Sequence, residues 1–182
     1  MTSDSELQTI AALIAKRRSK ALLRRDYLQL LLRVLFIALC GWLLVSQVFL
    51  FAQAEGSGMF PAVKDGDLIF GYRLQDAYAK DDVVVYTVQG RRHIGRVVAG
   101  AMDVVTLDDS GALLVNGTPQ SGEILYPTYA LEGQTYPLRV PEGHVFILGD
   151  YRTQTEDSRN FGPVPLDDVE AKVITILRRR GL

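Results

Sequence analysis

The sequence contains few of the residues that build disulfides and metal centres. Its 182 residues include one cysteine and two histidines. A single cysteine excludes an intrachain disulfide, and two histidines without further thiols match no common zinc-site spacing. No glycine-rich phosphate-binding loop occurs either. We therefore expect neither a metal ion nor another cofactor in this protein.

Charge is absent from one long segment and unevenly divided outside it. Residues 34–54 carry no charged side chain, whereas residues 1–33 hold seven basic and three acidic ones, a net charge of +4. The rest of the chain has a net charge of −5, from 13 basic and 18 acidic residues. About 20 apolar residues can cross a bilayer, and basic residues before the span hold that end in the cytoplasm. The pattern predicts a transmembrane signal anchor over residues 27–54 and a domain at 55–182 outside the cytoplasm.

Two features of the N-terminal third leave alternatives open. Ala52-Gln53-Ala54 resembles the end of a cleaved signal peptide, but the apolar run is longer than such a peptide needs. Residues 1–26 have a capping-box spacing and helical periodicity, which predicts a basic amphipathic helix. That helix could lie on anionic lipid or serve topology alone. Membrane topology explains the basic residues, so we expect a lipid partner and no nucleic acid.

Beyond Met59 the pattern changes from helical to strand-like. Two β-rich segments, 83–88 and 93–98, are separated by a turn that contains Gly90. Asp-Ser-Gly and Asn-Gly turns then predict consecutive hairpins over 104–118. Residues 119–142 are rich in Gly, Pro, Tyr and Thr and predict a long exposed excursion. Short strands with frequent turns indicate a mainly β, antiparallel domain.

Five motifs follow the apolar segment in a fixed order. They are Met59-Phe60-Pro61, Gly66-Asp67, the strand Ile94–Val98, Asn116-Gly117-Thr118-Pro119, and a closing box from Gly149-Asp150-Tyr151-Arg152 to Asp157-Ser158-Arg159. This order resembles the bacterial signal peptidase I family of membrane serine proteases. The resemblance implies a single membrane span followed by an antiparallel signal-peptidase-like β domain. It covers roughly residues 34–177.

The two catalytic side chains of that family are missing from their positions. Gly58 stands where the family has its nucleophilic serine, and Gly95 stands where it has its lysine base. A serine hydroxyl needs a positioned base, and glycine supplies neither a hydroxyl nor an amine. The family's Pro-Gly-Asp turn after the lysine strand is also replaced, by Ala101-Met102-Asp103. The resemblance therefore implies a protease scaffold without its dyad.

Neighbouring residues offer one substitute pair. Ser57 adjoins the nucleophile position, and His93 lies on the same face of its strand as Gly95. Some relatives of the family use histidine as the base. Against this pair, a one-residue shift turns Ser57 away from where Gly58 points, and His93 is displaced by about 6.6 Å along the strand.

The remaining site residues are expected to support the cleft. The resemblance implies that charge-assisted hydrogen bonds of the closing box hold strand ends around the site. The candidates are Met59, Pro61, Asp150, Arg152, Asp157, Ser158 and Arg159. In the family the serine matching Ser158 supports the lysine, so opposite Gly95 we expect a structural role for it.

Two functions from different classes follow. The first is a non-catalytic homologue that binds extended segments of exported proteins and assists surface protein or pilus assembly. It resembles degenerate signal peptidases in pilus gene clusters of Gram-positive bacteria, which assist the assembly of pilin subunits. The second is an active type I signal peptidase that cleaves secreted preproteins with Ser57 and His93. A paralogue that has lost its function is a third interpretation.

Overall fold

The structure, a computed structural model, describes residues 3–120, 126–131 and 134–178, and side chains from residue 24 onward. The chain divides into two units, Met1–Ser46 and Gln47–Leu182.

One helix, α1 (Ser3–Val48), forms the first unit and the start of the second. Its segment Arg24–Val48 is 25 residues long and contains an 18-residue stretch with a mean hydropathy of 2.3, which makes it long and apolar enough to cross a membrane. At about 1.5 Å per residue it would span roughly 38 Å. The amphipathic pattern predicted for residues 1–26 rests on side chains that lie almost wholly outside the described part. The backbone of 3–26 continues into the span without a break.

The helix ends at Val48, so the predicted span to Ala54 is too long by six residues. Phe49–Gln53 instead form strand β1, which pairs antiparallel with β2 (Leu68–Tyr72). Leu50 is buried while Phe51 is 71% exposed, as expected of a strand with one face on a core. Pairing with a distant strand overrides the continuous apolar run, which by itself favours helix.

The second unit is an antiparallel β domain, which confirms the predicted fold class. The other strands are β3 (Val83–Val88), β4 (Arg91–Ala99), β5 (Val104–Leu107), β6 (Leu113–Val115), β7 (Thr118–Pro119), β8 (Leu138–Arg139), β9 (His144–Leu148), β10 (Val164–Pro165) and β11 (Val169–Leu177). Seven strands form one sheet in the order β1-β2-β11-β3-β4-β9-β10, and four form a second in the order β7-β6-β5-β8. A short helix, α2 (Ser158–Phe161), follows β9.

Strands β3 and β4 occupy the middle of the large sheet. The turn between them contains Gln89 and Gly90, both with positive φ (52° and 75°), as a tight hairpin requires. Val84 pairs with Gly95, and on the far side of β4 Val97 pairs with Ile147 of β9. This register places Gly95 between buried residues of both neighbouring strands.

The predicted hairpins over 104–118 are present, since β5 pairs with β6 and β6 with β7. The predicted exposed excursion over 119–142 is wrong in part. Thr128 and Val140 are buried, the first because it receives a hydrogen bond from Arg152 and the second because it joins the core beside β5. Residues 121–125 and 132–133 lie outside the described part.

Candidate functional site

A cleft of about 730 Å³ lies along the end of β1 and the start of β4. Its lining residues are Ala52–Met59, Val63, Val85, Arg91–Ile94 and Gln154–Glu156. The volume falls within the range typical of ligand sites. The floor is apolar, because Met59, Val63 and Val85 are buried there. The cleft thus brings together three segments that are distant in sequence.

Gly58, at the predicted nucleophile position, lines this cleft and lies against Thr155. The Gly58 carbonyl accepts a hydrogen bond of 3.0 Å from the backbone N–H of Tyr151. A Cβ atom on Gly58 would lie 2.7 Å from Cγ2 of Thr155, so any side chain here requires that methyl group to move. The Thr155 hydroxyl lies 3.0 Å from Oδ2 of Asp157 and 3.3 Å from the carbonyl of Tyr151. Those contacts hold the methyl group over Gly58.

Gly95, at the predicted base position, is buried and outside the cleft lining. A Cβ atom there would overlap Cγ2 of Ile147, and it would lie 3.1 Å from Cε1 of Tyr86 and 3.2 Å from the carbonyl oxygen of Leu148. Ile147 and Tyr86 are buried members of one apolar cluster. A longer side chain at this position would therefore enter the packed interior unless Ile147 moved.

Ser57 and His93, the predicted substitutes, both line the cleft. Ser57 is exposed and His93 half-buried, and among the described residues no hydrogen bond joins them. The His93 ring stacks on Tyr86 with a centroid distance of 5.5 Å and an interplanar angle of 24°. Burial lowers the pKa of His93, with Arg91 adding to the effect and Glu156 opposing it. The imidazole is therefore neutral at pH 7 and could accept a proton.

Two bidentate ion pairs lie within and beside the closing box. Arg96 donates to both carboxylate oxygens of Asp150, at 2.8 and 2.7 Å, which ties β4 to the end of β9. Arg159 donates to both oxygens of Asp157 at 2.9 Å, and both residues are almost fully buried. The NH2 group of Arg159 also donates to the carbonyl of Arg152 at 2.6 Å. These contacts fix the backbone on either side of Thr155.

Arg152 is buried without a carboxylate in direct contact among the described residues. It donates to the carbonyl of Gly149 at 2.7 Å, to Oγ1 of Thr128 at 2.6 Å and to Oε1 of Gln120 at 3.2 Å. Burial lowers the pKa of Arg152 to about 10, against the opposing effect of the Asp157 carboxylate. This residue connects the box to the segment that follows β7.

The remaining predicted site residues take part in hydrogen bonding, helix capping or core packing, except for the exposed Pro61. Ser158 is fully buried, and its Oγ accepts a hydrogen bond of 2.9 Å from the backbone N–H of Ile147. Asp157 caps α2 in a capping box with Asn160. Met59 is buried in the cluster beneath the cleft, whereas Pro61 is exposed after a cis peptide bond.

Sequence reasoning missed Thr155 and Ile147, the residues that fill the space at the two glycines. Thr155 lies in a variable interval of the motif, and Ile147 has the pattern of an ordinary strand residue. Both contacts join segments more than 50 residues apart, so no local pattern could have indicated them. Among the described residues, no group of three or more His, Cys, Asp or Glu side chains could hold a metal ion.

A profile of the family described as "Signal peptidase, peptidase S26" matches residues 26–177. The chain belongs to the signal peptidase S26 family. The match covers the apolar segment and nearly the whole β domain. It therefore includes the cleft, both glycines and the closing box.

Relatives within the S26 family come from bacteria and from organelles. The chain is 28% identical to signal peptidase I of Bacillus caldolyticus over 156 residues, covering 76% of this chain and 85% of that protein. It is 32% identical to the probable thylakoidal processing peptidase 2 of Arabidopsis thaliana over 144 residues, covering 69% of this chain and 38% of the relative. It is 31% identical to mitochondrial ATP-independent inner membrane protease subunit 1b of Arabidopsis thaliana, covering 68% and 66%. The chain thus spans less than half of the thylakoidal relative.

A solved structure of a signal peptidase I from Enterococcus faecalis V583 is also similar. The identity is 27%, the TM-score is 0.43, and the match covers 54% of this chain and 97% of that one.

Proposed function

We propose that this S26 family member is a non-catalytic homologue that binds extended segments of exported proteins. The observation that carries the proposal is the packing at the two dyad positions. The space at Gly58 holds the methyl group of Thr155, and the space at Gly95 holds Ile147. Neighbouring side chains thus fill the space at both glycines. These positions also provide no hydroxyl and no amine to carry out the family's reaction.

The cleft supports binding without catalysis. Strand β1 is one of the two edge strands of the large sheet in the described part, and its end lines the cleft. An extended segment could add to that edge through main-chain hydrogen bonds, with side chains entering the apolar floor. Neither contribution needs a serine or a lysine.

The proposed location is the cell membrane, with a single pass and the N-terminus in the cytoplasm. The net charge of +4 before the span supports this orientation. Directly after α1, Phe49, Phe51 and Phe70 form an aromatic cluster with centroid distances of 5.0 and 4.9 Å, and Phe51 is 71% exposed. Exposed apolar surface can mark a membrane-interaction site, so this cluster supports a location beside the bilayer.

The proposed clients are surface proteins or pilins during assembly. This part rests on the resemblance to degenerate signal peptidases of pilus clusters, and a fold alone does not determine a function. Deletion of the gene in its own organism, followed by gel analysis of surface polymers, tests it. Normal polymer length in the deletion strain would contradict an assembly role.

The biochemical test compares cleavage with binding. The full chain in detergent is mixed with a preprotein carrying an Ala-x-Ala site, and both cleavage and co-purification are measured. We expect binding without cleavage. Cleavage by the original chain would refute the proposal, and loss of that cleavage in Ser57→Ala would establish the alternative, an active signal peptidase. The shared cleft of Ser57 and His93 is the observation that favours this alternative.

A reconstitution variant tests whether packing, beyond the missing groups, keeps the site inactive. Gly58→Ser with Gly95→Lys restores the dyad chemically but leaves both overlaps in place. Adding Thr155→Ser removes one methyl group and keeps the hydroxyl, and adding Ile147→Ala makes room beside residue 95. We expect cleavage in the fourfold variant and at least tenfold less in the double variant. Equal and measurable cleavage by the double and the fourfold variants would show that the packing is no obstacle.

A further inference from the structure

Three aromatic rings form a row that begins next to the cleft lining, two residues after Gly58. The Phe60 and Tyr151 ring centroids lie 6.4 Å apart, and the Tyr151 and Tyr126 rings stack at 4.5 Å with an interplanar angle of 30°. Phe60 is 39% exposed, and the two tyrosines are partly exposed. We call Phe60, Tyr151 and Tyr126 the aromatic row.

Two members of the aromatic row make backbone hydrogen bonds at or next to Gly58. The backbone N–H of Tyr151 donates to the carbonyl of Gly58 at 3.0 Å. The backbone N–H of Phe60 donates to the carbonyl of Ser57 at 2.9 Å, which closes a tight turn around Gly58. Two residues of chain reach at most about 7 Å, so Phe60 lies within that distance of Gly58.

The aromatic row adjoins the cleft lining at two points, next to Met59 and next to Gln154. The cleft wall runs from Ala52 to Met59, and Phe60 is the next residue. Across the cleft, the lining resumes at Gln154, whose N–H donates to the carbonyl of Tyr151 at 3.0 Å. An extended segment that lies along β1 and passes Gly58 would therefore meet these rings next.

Fixed aromatic rings suit recognition because little conformational freedom is lost when they bind. Aromatic pairs in offset-stacked or edge-to-face arrangements are also stabilised beyond what their buried area alone provides. We infer that the aromatic row is a subsite for an aromatic side chain of the bound client, located two or three residues beyond the residue that faces Gly58. This inference rests on the proposed binding function, which it extends by naming a feature of the client.

The test uses two fluorescein-labelled peptides and the full chain in detergent micelles. Both peptides contain an Ala-x-Ala sequence; one has tyrosines at the second and third positions after it, and the other has alanines there. Fluorescence anisotropy gives the dissociation constants. We expect the tyrosine peptide to bind about three- to tenfold more tightly, the range that an aromatic pair provides.

Matched variants locate the effect. Phe60→Ala and Tyr126→Ala should each reduce the preference for the tyrosine peptide while leaving the affinity for the alanine peptide unchanged, which also shows that the variants are folded. Tyr129→Ala is the control, because Tyr129 is 48% exposed on the same segment as Tyr126 but is outside the row. Its preference should equal that of the original chain.

The outcomes separate this inference from the proposed function. If both peptides bind equally, the aromatic subsite is refuted while client binding stands. The subsite is also refuted if Tyr129→Ala changes the preference as much as Phe60→Ala does. If neither peptide binds, both proposals fail together.

Discussion

The packing at Gly95 predicts a large penalty for the smallest possible side chain. In Gly95→Ala the added methyl group would overlap Cγ2 of Ile147 and lie 3.1 Å from Tyr86. Overpacking of a close-packed interior costs about 1–3 kcal/mol. Replacing glycine in a strand recovers about 0.5–1 kcal/mol of backbone entropy. The difference between the two ranges is about 0–2.5 kcal/mol, and because the methyl group would make one overlap and two tight contacts we expect a net loss of about 1–2 kcal/mol in the free energy of unfolding.

Gly100→Ala is the matched control. Gly100 follows the same strand, and a Cβ atom there would meet only Oδ2 of Asp103, at 3.8 Å. Its φ is not in the left-handed region, so alanine fits without strain. We expect a change between zero and a gain of about 1 kcal/mol. The two variants thus share the chemistry of the substitution and differ in the space available.

Pulse proteolysis of the full chain in detergent, over a range of urea concentrations, would give the free energies of unfolding. A double-mutant cycle then tests the cause. Ile147→Ala removes the overlapping methyl group, so Gly95→Ala should cost at least about 1 kcal/mol less in that background, within the coupling range of contacting residues. Ile147→Val retains Cγ2 and should show no such coupling. Equal stability of Gly95→Ala and the original chain would refute the packing argument and reopen the base position to a lysine.

Three further predictions concern groups around the site. Asp157→Asn should destabilise the fold by about 3–5 kcal/mol, because it leaves the buried Arg159 guanidinium without its counter-charge, whereas Asn in place of the exposed Asp109 should change little in the same urea titration. The pKa of His93 is lowered in the folded state, so below pH 6.5 the unfolded chain binds a proton more readily than the folded chain does. The free energy of unfolding should therefore fall as the pH drops from 7.5 to 5.5. This part of the pH dependence should disappear in His93→Gln. Met102 has φ of 69°, so Met102→Gly should raise the melting temperature, and an unchanged or lower value would show that the side chain compensates for its backbone strain.

Parts of the fold that depend on local pattern are predictable from this sequence. The β3–β4 hairpin follows from β-branched runs on either side of Gly90, and the membrane-spanning candidate follows from 21 uncharged residues. The end of α1 at Val48 could not be predicted in the same way. Phe49–Gln53 become a strand only because Leu68–Tyr72 supply its partner, with paired residues 15 to 23 positions apart. Nothing within the apolar run itself indicates that change.

The site shows the same division between local and long-range information. The motifs identify Gly58, Gly95 and the closing box by position, because a motif is a local pattern. They do not show that Asp150 pairs with Arg96 or that Arg152 reaches Thr128, since these contacts depend on the register of β4 and β9 and on a loop. The motifs also do not show that the turn Ala101-Met102-Asp103 has a left-handed residue in the middle, at Met102.

The two predicted dyad positions differ in how many neighbouring groups would have to change before a catalytic side chain could fit. At Gly58 the obstacle is one methyl group on a partly exposed side chain, and Thr155→Ser removes it without loss of the hydroxyl contacts. At Gly95 the obstacle is Ile147, which is buried in the same cluster as Tyr86. The backbone N–H of Ile147 also donates a hydrogen bond to Ser158. Removing that side chain costs about 2–5 kcal/mol before any lysine is added. A nucleophile could therefore return by substitutions at the surface of the cleft, whereas a base at residue 95 requires the core to be repacked first.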